Sequence, residues 1–333
     1  MLNIFFDIKY IKTKKVLLTK SIRYSKLINL LIEIGNILKT PIPEQLIFSG
    51  PHKRMNNILK TFKSQEFSIN KNKYRYSYIV NFDSKSEELL KNLVLDSKNK
   101  ILVGPLFDVE YQKKLIKYTN KYSNVKKLVA SEAAYINAVH EMDSGLNPEN
   151  VFVCPSGVIS EKNLNKNKIQ TKRNEGCLIY FKKREAGDLK MVIDFLKSKH
   201  IEYELFEYGK YKNNKLKEMA KKSKFGIYMS RVETQGFAVQ ELMACNLPLY
   251  VWDDLNANAE NMSKYYGGGS FSGTTVTLWS SQNGEVVHSF GEFESNFEKF
   301  YRNLDNYKPT VLVSDYLTFE SFRKNLVSIF SKF

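Results

Sequence analysis

The chain has 333 residues, 43% of them hydrophobic, and carries 51 Lys and Arg against 35 Asp and Glu for a formal charge of +16. This length suits two domains of ordinary size, each able to bury a core, and the composition is that of a soluble globular protein. No run reaches the roughly 20 uninterrupted apolar residues of a bilayer span, since Asn29, Glu33 and Gly35 break the longest candidate. Cys154, Cys177 and Cys245 match neither a disulfide frame nor a metal-ligand spacing and read as reduced core thiols of a cytoplasmic protein.

The charge is uneven: residues 1–150 hold 25 basic against 14 acidic side chains, and residues 151–333 hold 26 against 21. A basic first half suits an acidic acceptor, an anionic membrane face or nucleic acid, all of them salt-sensitive partners. An AT-rich genome, which favours Lys, Asn, Ile and Tyr, produces the same bias.

In chain order, residues 1–7 lack a basic stretch ahead of an apolar one and read as a first strand, not a secretion signal. Apolar runs at 46–48, 78–82, 101–103, 127–130 and 151–153 read as buried strands, with helices over 87–95, 109–122 and 133–142 between them. Residues 50–77 are polar and lysine-rich and carry no assignable element. The strand at 151–153 ends in Cys154-Pro155-Ser156-Gly157-Val158, and a Lys- and Asn-rich stretch over 161–175 follows, as at a crossing between domains. Alternation then resumes: strand 177–181, helix 188–199, strand 203–206, helix 214–222, strand 225–229, helix 237–245, strand 249–252. Each half therefore predicts a parallel sheet covered on both faces. Phe319, Phe322, Leu326, Ile329 and Phe330 fall at helical spacing and predict a final helix.

The most informative stretch is Glu233-Thr234-Gln235-Gly236-Phe237-Ala238-Val239-Gln240-Glu241. Glu233 falls in the loop between strand and helix, Gly236 permits a tight turn and close approach of a ligand, and the helix start offers N–H groups and a positive dipole end to an anion such as a diphosphate. Glu241, about a turn into the helix, can accept two hydroxyl hydrogens from a ribose. Two glutamates seven residues apart, with apolar flanks and Gly-Phe between them, resemble the EX7E motif of retaining glycosyltransferases with the GT-B fold, most closely family 4. The run from Ser230 to Pro248 follows that family's pattern nearly residue for residue.

The resemblance implies two Rossmann-like doubly wound α/β domains facing a cleft: an acceptor-side domain over 1–157, a nucleotide-sugar-binding domain over 158–315, and a helix over 316–333 returning to the first. It implies that Glu233 meets hydroxyls of the donor sugar and Glu241 holds the ribose, with Gln235, Gly236 and Phe237 at the donor. Lys182, Lys183 and Arg184 follow the first strand of the second domain and offer charge for the leaving diphosphate; family members space the two cations differently, so which of the three acts stays open. Tyr208 and Gly209 follow the next strand, where such enzymes hold the base. On the acceptor side, His52, Ser131 and Glu132 follow strand-like runs.

No Asp-x-Asp is present, Asp253 and Asp254 are adjacent, and His52, His140, His200 and His288 are dispersed, so no metal site is expected. The expected reaction is metal-independent transfer of a sugar, with retention, from a UDP- or GDP-sugar to a hydroxyl of a glycan, lipid-linked or protein acceptor. No other cofactor is required, and the basic first domain suits peripheral membrane docking. A GT-B-fold epimerase or phosphorylase is the alternative enzyme. A nucleic-acid-binding role lacks a recognisable motif, so no nucleic-acid partner is expected.

Overall fold

The computed structural model describes residues 2–5, 50–62, 67–69, 75–107, 109–136, 138–139, 145–168, 175–253 and 273–333. The first of two α/β units contains β1 (Leu2–Phe5), β2 (Phe67–Ile69), β3 (Tyr76–Phe82), β4 (Lys100–Phe107), β5 (Val125–Val129) and β6 (Val151–Val153) in the order β2-β1-β3-β4-β5-β6. Every neighbouring pair is parallel. Such a sheet is buried on both faces, and β3 is accordingly buried at every position after Tyr76. Helices Ser84–Leu93 and Val109–Lys121 bring Leu90, Leu93 and Leu115 to Ile79 and Val103. Helix Gly50–Thr61 and the final helix, Phe319–Ser331, pack Ile58, Leu59, Phe322, Leu326 and Phe330 with Ile4, Tyr78, Leu102 and Leu128.

Lys127 is buried alongside the apolar side chains of β5, only 2% exposed. Burial lowers its ammonium from 10.5 to about 8. The unfolded chain keeps this proton up to about 10.5, so between about 8 and 10.5 it binds more protons than the folded chain, and this contribution to stability rises with pH. Lys127→Met removes it. The variant's melting temperature relative to the parent's is expected to be highest near pH 7 and to decline towards pH 10; a pH-independent difference would contradict the assignment.

The second unit contains β7 (Glu175–Phe181), β8 (Tyr203–Glu207), β9 (Ser223–Ser230), β10 (Leu249–Asp253) and β11 (Gly284–Val287), all parallel, in the order β11-β10-β9-β7-β8. After β7 the chain places β8 on one side and β9 on the other. The loops leaving β7 and β9 therefore diverge, and a topological switch point of this kind is where doubly wound sheets bind ligands. One face is covered by an aromatic layer in which Phe293, Phe297 and Phe300 of helix Phe290–Arg302 meet Phe195, Phe225 and Tyr250. Val239, Leu242 and Met243 of the motif helix pack into the core of the other face with Leu178, Tyr180, Tyr228 and Leu249.

The first unit comprises Met1–Ser156 and Phe322–Phe333 among its segments, and the second includes Gly157–Asn258 and ends at Ser321. Just inside the second unit the two crossing segments run side by side: the Val158 N–H donates to the Leu317 carbonyl at 2.8 Å and the Phe319 N–H to the Ile159 carbonyl at 2.9 Å. Gly157 has no room for a side chain, because a Cβ there would stand 2.7 Å from the Thr318 carbonyl oxygen.

The strands read over 78–82, 101–103, 127–130 and 151–153, and those of the second half, are present with ends moved by a few residues. Polar composition hid two helices. Gly50–Thr61 lies in the unassigned stretch, and Glu161–Lys168 opens the Lys- and Asn-rich one, held by burial of Leu164 and by Asn167, which donates to the Ala244 carbonyl at 2.7 Å. The strand read at 46–48 lies outside the described residues, as do residues 137 and 140–142 of the helix read over 133–142, whose start is seen as Glu132–Ile136. Among the described residues no helix is long and apolar enough to cross a membrane.

Candidate active site

Glu233 lies in the loop between β9 and helix Phe237–Ala244. The turn into the helix is made by Gly236 at φ +76° and ψ +51°, a left-handed conformation costly for other residues; a Cβ there would also stand 2.9 Å from Val239 Cγ1. Gln235 is buried and turned inward: its Nε2 donates to Gln240 Oε1 at 3.0 Å, and its carbonyl accepts from Gln240 Nε2 at 2.7 Å. The helix stops at Cys245 and Asn246, the latter at φ +58°, ahead of Pro248.

The Glu233 carboxylate receives Lys182 Nζ at 2.7 Å on each oxygen. On Oε1 it also accepts from the Tyr228 hydroxyl at 3.1 Å and the Ser230 hydroxyl at 3.0 Å. Lys182 follows β7 and Glu233 follows β9, so this ion pair spans the switch point. The two side chains are 15% and 9% exposed, which shields the pair from water and strengthens it relative to a surface pair. Burial first, then the neighbouring Glu233 charge, pushes the Tyr228 phenol well above its ordinary 10, so it stays protonated and donating.

Tyr180 stacks on Tyr228 with ring centroids 4.7 Å apart and meets Tyr211 edge-on at 6.0 Å. Burial raises Tyr180 as well, and pushes Tyr211 up to about 12. In the sequence Tyr180 and Tyr228 read as residues of apolar strands. Their period-two spacing to Lys182 and to Ser230 was the available signal, because residues two apart at a strand end share a face.

Glu241 is 5% exposed, and its Oε1 lies 3.1 Å from Lys217 Nζ and 3.3 Å from Asn213 Nδ2, both on helix Asn213–Lys222. Neither partner was expected from the sequence, although their spacing of four places them on one helix face. Of the three cations after β7, Lys182 is the one that bonds to Glu233 among the described residues. Lys183 is exposed at φ +52°. Arg184 donates from Nε to Asp188 Oδ2 at 2.9 Å and from its NH1 nitrogen to the Trp252 carbonyl at 2.7 Å, with its guanidinium 4.3 Å from the Trp252 ring centre. Tyr208 is half exposed, tied through its N–H to the Phe181 carbonyl at 2.9 Å, and its ring lies 5.0 Å from Lys182 Nζ; Gly209 follows at φ +82°. Phe237 is partly buried against the core.

Residues 274–277, which carry no signal in the sequence, join the site. Asp253, at the end of β10, is 2% exposed and holds Thr274 and Thr275; the Thr274 carbonyl in turn accepts the Glu233 N–H at 3.0 Å. In the first unit, Ser131 is buried and its hydroxyl accepts the Ala134 N–H at 3.2 Å, Glu132 is exposed, and His52 is the third residue of helix Gly50–Thr61. Among the described residues no group of three or more His, Cys, Asp or Glu side chains is arranged to hold a metal ion.

No protein-family model and no curated protein matches this chain. Solved structures similar to it include the pneumococcal O-GlcNAc transferase GtfA in complex with UDP and GlcNAc, at 10% identity and a TM-score of 0.47 over 78% of this chain and 57% of that one. WaaG, a glycosyltransferase involved in lipopolysaccharide biosynthesis, is 11% identical at 0.44 over 87% and 97%. Sucrose-phosphate synthase from Thermosynechococcus elongatus is 10% identical at 0.42 over 88% and 80%. This chain thus spans little more than half the length of GtfA.

Proposed function

We propose that the chain is a glycosyltransferase that moves a sugar from a nucleoside-diphosphate donor to an acceptor hydroxyl, with retention and without a metal ion. The observation that carries this reading is the Lys182–Glu233 pair across the switch point, joined to a glycine-turned helix start. The diphosphate sits at the first turn of helix Phe237–Ala244, near Gly236, where an α-helix presents N–H groups without intrahelical acceptors. Lys182 meets the negative charge that grows as the bond to the sugar breaks. Glu233 accepts hydroxyls of the donor sugar, its Oε1 fixed by Tyr228 and Ser230. Glu241, oriented by Asn213 and Lys217, accepts ribose hydroxyls, and Tyr208 with Gly209 takes the base. Arg184 braces the loop after β7 on Trp252, while Lys183 adds exposed charge. Retention follows if the acceptor approaches from the face the diphosphate leaves, and the basic first unit is assigned the acceptor.

Thermal-shift and calorimetric titration with UDP, GDP and other nucleotides tests this. Binding is expected, and Glu241→Ala should weaken it about 10- to 100-fold, the worth of hydrogen bonds to a charged group. A parent protein that binds no nucleotide, or a folded variant of unchanged affinity, would reject the reading.

A further inference from the structure

Asp253 is a buried carboxylate with no part in the chemistry just described. It ends β10, where its register partner on β9 is Ser230. A charge so enclosed is costly unless donors surround it. Here Oδ1 lies 2.6 Å from the Thr275 N–H nitrogen and 2.6 Å from the Thr275 hydroxyl, and Oδ2 accepts from the Thr274 hydroxyl at 2.7 Å. Charge-assisted bonds of this length are among the stronger ones a folded chain makes.

The segment pinned in this way touches the motif loop at three places. The Thr274 carbonyl accepts the Glu233 N–H at 3.0 Å. The Thr275 hydroxyl also lies 3.1 Å from the Ser230 carbonyl, so its single proton is shared with Asp253. The Thr277 hydroxyl donates to the Gln235 carbonyl at 2.5 Å. Residues 230, 233 and 235 are therefore each tied to one strap, and the strap is tied to one carboxylate.

We infer that Asp253, acting through Thr274, Thr275 and Thr277, is a positioning residue that sets the backbone of the loop carrying Glu233 and the turn at Gly236. What the loop binds rests on the proposed function; how it is held does not. Site groups must stay within about half an ångström of productive geometry, and a loop reaches that only when supporting bonds hold it.

Hydrogen exchange and nucleotide affinity, measured on Thr275→Val, Thr275→Ser and Asp253→Asn, test the inference. Thr275→Val keeps the shape of the side chain and removes its hydroxyl. Both it and Asp253→Asn are expected to speed exchange of the 230–237 amides by about tenfold or more and to weaken whichever of UDP and GDP the parent binds by a similar factor. Exchange in β7 should stay unchanged, and Thr275→Ser should restore both quantities. Parental exchange of the loop in folded variants, or acceleration spread evenly over the second unit, would overturn the inference. If the parent binds neither nucleotide, the proposed function fails, and the exchange pattern alone decides the role of Asp253.

Discussion

Glu233→Gln is expected to lower turnover by about two to three orders of magnitude while the protein stays folded and donor affinity stays within a few-fold of the parent's. Glutamine matches the shape of glutamate, and its carbonyl oxygen can still accept from Tyr228 and Ser230. What disappears is the negative charge facing Lys182, in a pair whose side chains are 15% and 9% exposed. An ammonium left without its counterion in so shielded a place seeks another anion. The donor's diphosphate is one, so nucleotide affinity should hold or rise even as kcat falls. That split separates a group acting on the reacting sugar from a structural ion pair, whose loss would lower the melting temperature and spare kcat. Steady-state release of nucleoside diphosphate, alongside thermal melts, measures both, and parental kcat in the folded variant would refute the role.

Gly284→Ala should be the more damaging substitution for stability, costing about 3 kcal/mol or more. Gly284 opens β11 at φ +136° and ψ −148°, a region open essentially to glycine alone. A Cβ there would stand 1.8 Å from the carbonyl oxygen of Leu249, its register partner on β10. That neighbour is backbone and cannot swing aside, so relief requires parting β11 from β10. Gly187, in the first turn of helix Ala186–Ser198, is a control, since a Cβ there meets nothing within 4 Å. Alanine at 187 should leave the urea midpoint unchanged or slightly raised. A Gly284→Ala midpoint equal to the parent's would show that the strand start tolerates a side chain.

Much of the architecture was legible because β3, β7, β9 and β10 are central parallel strands, and such strands stand out as apolar runs bounded by polar segments. The turn at Gly236 was legible for a related reason: a strand, a glycine turn and an apolar helix follow within a few residues, so local chemistry reveals local geometry. Its supports were not. Asp253 reads in the sequence only as one of two adjacent aspartates, because its partners Thr274 and Thr275 arrive some twenty residues later and nothing in composition announces such a pairing. Lys182 and Arg184 look alike in sequence, and the contact that sets their surroundings apart, Arg184 on Trp252, comes from a strand far along the chain. Lys127 sits in a run that otherwise reads as core, and its burial is a tertiary outcome with no local signature.

Phe322, Leu326, Ile329 and Phe330 complete a core otherwise assembled from residues before Cys154 and including it. On the ribosome, the earlier residues emerge first, and the part of their core that helix Gly50–Thr61 does not cover stays open until these late aromatic and aliphatic groups are made. The amino-terminal half must therefore wait, half-finished and adhesive, through synthesis of the whole second unit. For anyone preparing fragments, a piece ending at Ser156 would expose that surface permanently, whereas the same piece fused to the last dozen residues would cover it.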